Sequence, residues 1–322
     1  MGKRVFLMMA LFAVVSFNSF GTEHVWAAYP DKKIQLIIPF APGGMADTVG
    51  RLLMHHANPF LGGRVYAENI LGAGGAPGFR AGAKASPDGY TITLMLTAQL
   101  TGPHTIKDYP TIDLFDPICI AVQDPIAFTV KPDSRFKTIA DLISYATAHP
   151  GEVTVGHSGV GSLNHMADEA FAEAGKIKIR LVPFKGASEA LVAAMGGHVD
   201  VASSGCGDAR VYSEGGKLRP LIVFGNERSR HFASVPTAKE LGYDVIISQW
   251  VGVGVPKGTP EDIKASLIEA FKKAMESEEF KRNIDRMGVE RISMGAKEAV
   301  PWLKAQDEFF KKLAQKIGLM PQ

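Results

Sequence analysis

Cysteine is scarce. The 322 residues hold two, Cys119 and Cys206, too few for a disulfide framework. One bridge between them is conceivable in an oxidising compartment. They fall far apart in the chain, in segments assigned to different parts of the fold, so two buried thiols are expected. No CxxC and no Cys/His cluster is present, and His55, His56 and His165 lack a second group of ligands at metal spacing. No metal site is read, and these histidines are assigned surface or capping roles. An excess of one charge is also missing: 35 Lys+Arg against 33 Asp+Glu leaves +2, with the basic residues scattered. That argues against nucleic acid as the main partner. No internal repeat or low-complexity segment occurs. No phosphate-binding G-x-x-x-x-G-K-[ST] occurs either. The stretch Gly156-His157-Ser158-Gly159-Val160 departs from the hydrolase pattern G-x-S-x-G at its fifth position. Gly159-Val160-Gly161 lacks the third glycine of a dinucleotide fingerprint, where Asn164 stands. No cofactor and no catalytic residue are expected.

What is present begins with an export signal. Lys3 and Arg4 precede an apolar run from Val5 to about Val15, and Val25-Trp26-Ala27 supplies the residues for a cut between Ala27 and Ala28. The alternative, an uncleaved anchor, is disfavoured because the run falls short of the roughly 20 residues that span a bilayer. Residues 1–27 are therefore read as a signal peptide and the mature protein is placed in the periplasm. About 295 residues remain, a size that suits two lobes better than one core.

The mature chain alternates strand and helix, the pattern of an α/β fold. Ile34 to Phe40 reads as a buried strand broken by Ala41-Pro42-Gly43-Gly44. A helix follows from Met45 to about Asn58. Val65–Glu68 and Thr91–Leu96 read as further strands, the first leading through Gly72-Ala73-Gly74-Gly75 into a helix that ends near Ala85. An extended segment, Ile118–Val130, is read as a first crossing to a second lobe. There the helices Thr138–Ala148, Leu163–Ala174 and Ser188–Met195 alternate with strands at Val153–Val155, Ile179–Val182, Val199–Ala202 and Leu221–Phe224. Val245–Val255 reads as the return crossing, and helices near Glu261–Ser277 and Ala296–Ile317 close the chain. The expected division is lobe one, residues 28–122 plus 251–322, and lobe two, residues 123–250.

Three glycine turns, Pro42-Gly43-Gly44, Ser158-Gly159-Val160-Gly161 and Lys185-Gly186-Ala187, sit where a parallel strand ends and a helix begins. In open α/β sheets ligands bind at that edge. The first amides of a helix lack internal partners and its dipole adds partial positive charge. Two such turns facing each other would grip an anion without an arginine. Asp47, in the first helical turn, is assigned to bracing the loop through backbone hydrogen bonds rather than to ligand contact.

The ordered set of motifs resembles the Bug receptors, the substrate-binding proteins of tripartite tricarboxylate transporters. It comprises Tyr29-Pro30, the run from Ile37 to Asp47, Asn69 with Gly72-Ala73-Gly74-Gly75, and Ser86-Pro87-Asp88-Gly89-Tyr90. It continues with Gly159-Val160-Gly161-Ser162-Leu163-Asn164-His165, Val182-Pro183-Phe184-Lys185-Gly186, Gly196-Gly197-His198-Val199-Asp200, Val235-Pro236-Thr237 with Glu240-Leu241-Gly242-Tyr243, and Pro256-Lys257-Gly258-Thr259-Pro260.

The resemblance implies a type II periplasmic binding fold with two α/β lobes and two crossing strands. It implies that Phe40, Ala41, Pro42, Gly43, Gly44, Met45, Ala46 and Asp47 form a loop holding a ligand carboxylate through main-chain N–H groups and bound water. Ser158, Gly161 and Ser162 would face it from lobe two, with Gly159, Asn164 and Gly186 beside them and Thr97 and Ala98 near the pocket. It further implies a small organic carboxylate as ligand, membrane transporter subunits as partners, and a monomer. Many relatives carry a hydroxyl residue after the Gly-Gly pair, where this chain has Met45-Ala46. That removes a donor and favours a less polar or aromatic acid over a small doubly charged one. Trp250 is read either as core or as a pocket wall. Cys206 either lines the pocket or fills lobe two. Lys185 and Arg210 either meet a distal acid of the ligand or stay solvated. Two rival functions remain: an exported α/β hydrolase using Ser158, and the sensing subunit of a signalling system.

Overall fold

The computed structural model describes residues 29–319, so the signal segment read over residues 1–27 lies outside the described residues. The chain begins with β1 (Ile34–Ile38), α1 (Met45–Ala57), β2 (Val65–Asn69), α2 (Ala76–Lys84), β3 (Thr91–Leu96) and a single turn of helix, α3 (Ala98–Thr101). The long strand β4 (Phe115–Val130) follows. Next come α4 (Ile139–Ala148), β5 (Thr154–His157), α5 (Leu163–Ala174), β6 (Arg180–Pro183), α6 (Ala187–Met195), β7 (Val201–Gly205), α7 (Cys206–Glu214) and β8 (Arg219–Val223). The chain ends with β9 (Ser248–Pro256), α8 (Glu261–Glu276), α9 (Glu278–Met287), β10 (Glu290–Gly295) and α10 (Ala296–Lys316).

The strands run in the order β2-β1-β3-β9-β4-β7-β5-β6, with β8 and β10 also on β4. β1 pairs in parallel with β2 and β3, and β5 in parallel with β6 and β7. The strand ends that carry α1 and α5 are thus carboxyl edges of parallel strands, where helix N-termini gather. β9 returns antiparallel along β3 and β4. The expected arrangement is present: two α/β lobes joined by two crossing strands.

β4 makes the junction. Its first part pairs with β9 as far as Pro125 opposite Ser248, and from Ile126 it pairs with β7 and β8. Apolar and β-branched residues fill this segment, and all but two of its positions are buried, as expected for a strand covered on both faces. Lobe one closes on Leu36, Val49, Phe79, Phe271 and Phe280. Lobe two closes on Phe128, whose ring lies 5.4 Å from Phe171 and 5.0 Å from Phe224 in edge-on contacts. Such pairs add about 0.5–1.5 kcal/mol each beyond the area they bury.

Four elements went unread in the sequence: α3, α7, α9 and β10. The single closing helix expected over Glu261–Ser277 is followed directly by α9, because Ser277 turns extended (φ −65°, ψ 136°) and its side chain caps Phe280 N. Cys119 and Cys206 are both free and buried, with burial pushing the Cys119 thiol up to about 12. Among the described residues no helix is long and apolar enough to cross a membrane, and no group of metal-ligating side chains is found.

Candidate functional site

A cleft of about 980 Å³ opens between the lobes. Lobe one contributes the loop after β1: Phe40, Ala41, Pro42, Gly44, Met45 and Ala46 all line it. The loop is shaped by Asp47, which is 5 % exposed. Its carboxylate accepts hydrogen bonds from Gly43 N (3.0 Å), Arg51 Nε (2.9 Å) and Asn69 Nδ2 (2.9 Å). Asn69 Nδ2 also donates to Phe40 O at 2.8 Å, and Arg51 Nη2 donates to Asn69 Oδ1 at 2.7 Å. Burial pushes the Asp47 carboxyl up, but the bonds from Arg51, Asn69 and Gly43 outweigh it and hold the group below the ordinary value. Gly43 has φ +84°, a conformation that side chains resist.

Asp47 is matched by Arg51 one turn on, so the pair leaves the positive end of α1 uncancelled. No side chain caps α1 at Gly44. The amides of the first turn therefore lack helical partners, and the residues carrying them form the cleft wall. Gly43 itself does not line the cleft, and its amide is spent on Asp47.

Lobe two presents Ser158, Val160, Gly161, Ser162, Leu163 and Asn164 at the start of α5. Here the turn is tied back on itself, while the amides of Leu163 and Asn164, in the first turn of α5, have no helical partner. Gly161 N donates to His165 Nδ1 at 3.0 Å, Ser162 N to Gly159 O at 3.2 Å, and His165 N to the Ser162 hydroxyl at 3.2 Å. His157 Nδ1 lies 3.0 Å from Gly159 O and 3.3 Å from its N. The two imidazoles stack at 4.8 Å with a 16° angle between planes. The pair is a scaffold for the turn, and the surface or capping role assigned to His165 becomes a specific grip on Gly161. Burial, together with the His165 ring, holds His157 down at about 4, and burial lowers His165 as well.

The His157 ring is expected to stay neutral until the pH nears 4, measured by NMR titration of the imidazole; a midpoint near 6.5 would contradict the packing. A histidine with a lowered folded-state value contributes its full stability above the unfolded value of about 6.5 and loses it as pH falls toward 4. The loss should be on the order of 2 kcal/mol.

The floor comes from the crossing strand β9 and the end of β3. Thr97 Oγ1 accepts from Trp250 N at 2.8 Å and donates to Ser248 O at 3.4 Å, so this hydroxyl locks the two strands together. Thr97, Ala98 and Trp250 line the cleft. Trp250 is 1 % exposed and its ring meets Trp302 edge-on at 5.7 Å, so most of its bulk is core. Among the described residues nothing partners its indole N–H.

Besides Gly43 and Asp47, which shape the loop without lining the cleft, three more of the expected residues lie outside the lining. Cys206 opens α7 within the lobe-two core, fully buried among Ala127, Ala190 and Val223. It fills that core and does not line the cleft. Gly186 caps α6 outside the lining, although its neighbour Lys185 reaches in. Gly159 is turned away by its bonds to His157. Arg210, weighed as a partner for a distal acid, instead binds Arg286 O at 2.8 Å and Glu214 at 3.4 Å.

The sequence reading missed a whole wall. Thr101, Gly102, Thr105, Ile106 and Tyr109, in the irregular segment after β3, line the cleft with Leu96, Gly74, Gln249 and Leu319. Tyr109 donates to Gly74 O at 2.6 Å, and the buried ring of Phe79 packs behind it and Phe40, with centroids 6.0 and 6.4 Å away. The signal was faint: a run of small and polar residues just past a strand end, without period. Thr105 reaches across to lobe two, since a Cβ placed on Gly161 would lie 3.6 Å from that of Thr105.

Comparison with known proteins identifies the family of this two-lobed fold. Residues 49–319 match the model of the tripartite tricarboxylate transporter family receptor. The chain belongs to this family. A relative from Cupriavidus necator, the UPF0065 protein in the gbd 5′ region, is 33 % identical over 293 residues, covering 90 % of this chain and 89 % of that one. A TctC solute-binding protein from Polaromonas has TM-score 0.81 at 30 % identity, covering 89 % of this chain and 99 % of that one. Two R. palustris proteins are also similar. One, solved with adipate, has TM-score 0.75 at 26 % identity and covers 91 % of this chain and all of its own. The other, MatC with bound malate, has TM-score 0.72 at 26 % identity and covers 89 % of this chain and all of its own. This receptor family is a family of periplasmic solute-binding proteins.

Proposed function

We propose that this family member is an exported receptor that captures a small organic carboxylate by lobe closure and presents it to the membrane subunits of a transporter. The observation that carries this reading is the uncapped start of α1, opposite the turn of α5, across the 980 Å³ cleft. Each helix end contributes about 0.3–1 kcal/mol of dipole attraction for an anion, and the exposed amides add charge-assisted hydrogen bonds. The ligands bound by the R. palustris proteins, adipate and malate, are carboxylates and support it. In this reading residues 1–27 are removed on export to the periplasm, residues 28–122 with 251–322 form lobe one, residues 123–250 form lobe two, and the receptor works as a monomer. Ligand held by α1 recruits lobe two, whose closure excludes water. The closed form is populated only as far as the ligand prefers it.

The hydrolase alternative draws no support from the hydrogen bonds around Ser158. Ser158 Oγ donates to Asn164 Oδ1 at 2.7 Å, and the Nδ1 atoms of the nearby histidines are occupied by glycine backbone. Ser158→Ala should change carboxylate affinity and reveal no esterase or amidase turnover in either protein. Turnover that vanishes in the variant would establish the enzyme.

A thermal-shift panel of carboxylates tests the receptor itself. A ligand at 100 times its Kd adds about 2.7 kcal/mol, which for a chain of this size raises the midpoint by roughly 5–10 °C. No shift with any carboxylate would end the proposal.

A further inference from the structure

Large apolar side chains are left exposed at several points of the surface, Phe60, Tyr66, Leu71 and Val192 among them. Among the described residues only two of that kind line the cleft, Ile106 and Val160. Val160 is 71 % exposed and Ile106 38 %. They stand on opposite lobes, each beside a residue at which the lobes already come close. A Cβ on Gly161 would lie 3.6 Å from Thr105 Cβ and Cγ2. Val160 is the chain neighbour of Gly161, and Ile106 that of Thr105. Both are carried on braced turns. Val160 rides between Gly159 and Gly161, which the stacked imidazoles of His157 and His165 hold. On the other wall Ile106 N donates to Gly102 O at 2.8 Å and Thr105 Oγ1 to Thr101 O at 3.2 Å, and the tip of Ile106 lies over Gly74. Two rigid mounts thus hold apolar surface in water that contact between them would release. Hinge closure brings facing walls together, and the approach of Thr105 to Gly161 marks where they meet. The next pair along is Ile106 and Val160.

Resting on the receptor reading above, we infer that Val160 and Ile106 form an apolar latch: they meet across the mouth when the lobes shut, and the surface they bury there holds the closed form around its ligand. The contact belongs to the closed form alone, so it strengthens binding without stabilising the empty protein. The stack of His157 on His165 gains a purpose in the same device, as the mount that presents Val160.

Val160→Cys combined with Ile106→Cys tests the meeting without a ligand. Cys119 and Cys206 are buried and stay out of the reaction. With copper–phenanthroline as oxidant, the pair is expected to form an intramolecular disulfide at least about tenfold faster than Val160→Cys with Phe60→Cys, because sulfurs join only when their Cα atoms come within about 7 Å and Phe60 lies outside the cleft. Peptide mass mapping reads both. Calorimetry with adipate and malate then relates the latch to capture. Val160→Ser is expected to raise the Kd about five- to tenfold and Val160→Ile to leave it near the parent value, with the ligand-free unfolding midpoint unchanged in both. Cross-linking no faster than in the control pair overturns the latch, and so does a Val160→Ser protein that binds as tightly as the parent. Rapid cross-linking in a protein that binds neither acid keeps the contact and counts against the receptor reading instead.

Discussion

Asp47→Ala is expected to lower the unfolding midpoint by roughly 5–10 °C and to weaken carboxylate binding by a factor of ten or more. The carboxylate is almost fully buried and holds three donors at 2.9–3.0 Å from Gly43, Arg51 and Asn69. Removing it strands a main-chain N–H and leaves Arg51 beside the helix start without its counter-charge. Breaking a fully buried pair costs about 3–5 kcal/mol. Arg51 is 43 % exposed along its side chain, which reduces the figure to about 2–3 kcal/mol. In a protein of this size each kcal/mol moves the midpoint by about 2–4 °C. The affinity loss has a separate origin. With Gly43 released and Asn69 no longer held over Phe40 O, the loop that carries the amides of Gly44, Met45 and Ala46 loses its brace, so binding must first order it. Asp47→Asn keeps one acceptor and the shape, and should fall between. The Asp47 carboxyl is held below its ordinary value, so its contribution is complete above the unfolded carboxylate range. It disappears only as the pH drops through the lowered value. Calorimetric unfolding and ligand titration on the same samples check both effects. A variant that binds like the parent would show that the α1 amides do not hold the ligand.

Gly252→Ala should be worse tolerated still, with little folded protein recovered. Gly252 lies on β9 between β3 and β4, opposite Met95 and Ile120 and beside the register shift of the β4 pairing. A Cβ there would come within 2.3 Å of the Cys119 carbonyl oxygen and 2.7 Å of Ile120 Cδ1. The first of these is main chain inside a sheet and has nowhere to move. Overpacking of this kind costs about 3 kcal/mol or more when the neighbour is backbone. Gly186→Ala is the matched control. Its φ of −176° is extended backbone that any residue adopts, and a Cβ would find no atom within 4 Å. That change should cost less than about 1 kcal/mol, the scale of an N-cap preference. Solubility and thermal unfolding of the two variants side by side give the answer. Equal midpoints would mean that β9 can shift against β4.

Which parts were legible in the sequence follows from how each is encoded. Strands covered on both faces, such as β1 and β3, announce themselves as unbroken apolar runs, and α5 starts and stops where its caps say. α7 carries few apolar residues and left no periodic trace. β10 lies half-exposed at the edge of β4. The turns that form the site were legible because Gly43 and Gly161 need positive φ just past a strand. Which of their amides stay free was not. That depends on side chains folding back, Asp47 onto Gly43 and His165 onto Gly161, each from four residues further on. Whether such a residue reaches back, or points away as a plain helix position, is decided by the packing of Asn69 or of a second imidazole. The wall from Thr101 to Tyr109 owes its position to Tyr109 seating against Gly74, and a Cβ on Gly102 would strike that ring at 2.5 Å. No periodicity encodes such a fit.

β4 runs unbroken for 16 residues through both sheets, and β9 is zipped against it up to the point where it leaves lobe one. The halves therefore share a ribbon instead of hanging from a tether. On the receptor reading, opening and shutting would be taken up as torsion in that ribbon, like a leaf spring. For the same reason neither half can melt and leave the other standing. Heat or urea should produce one transition, and a guest bound at the mouth should protect amides far behind it in the lobe-two sheet.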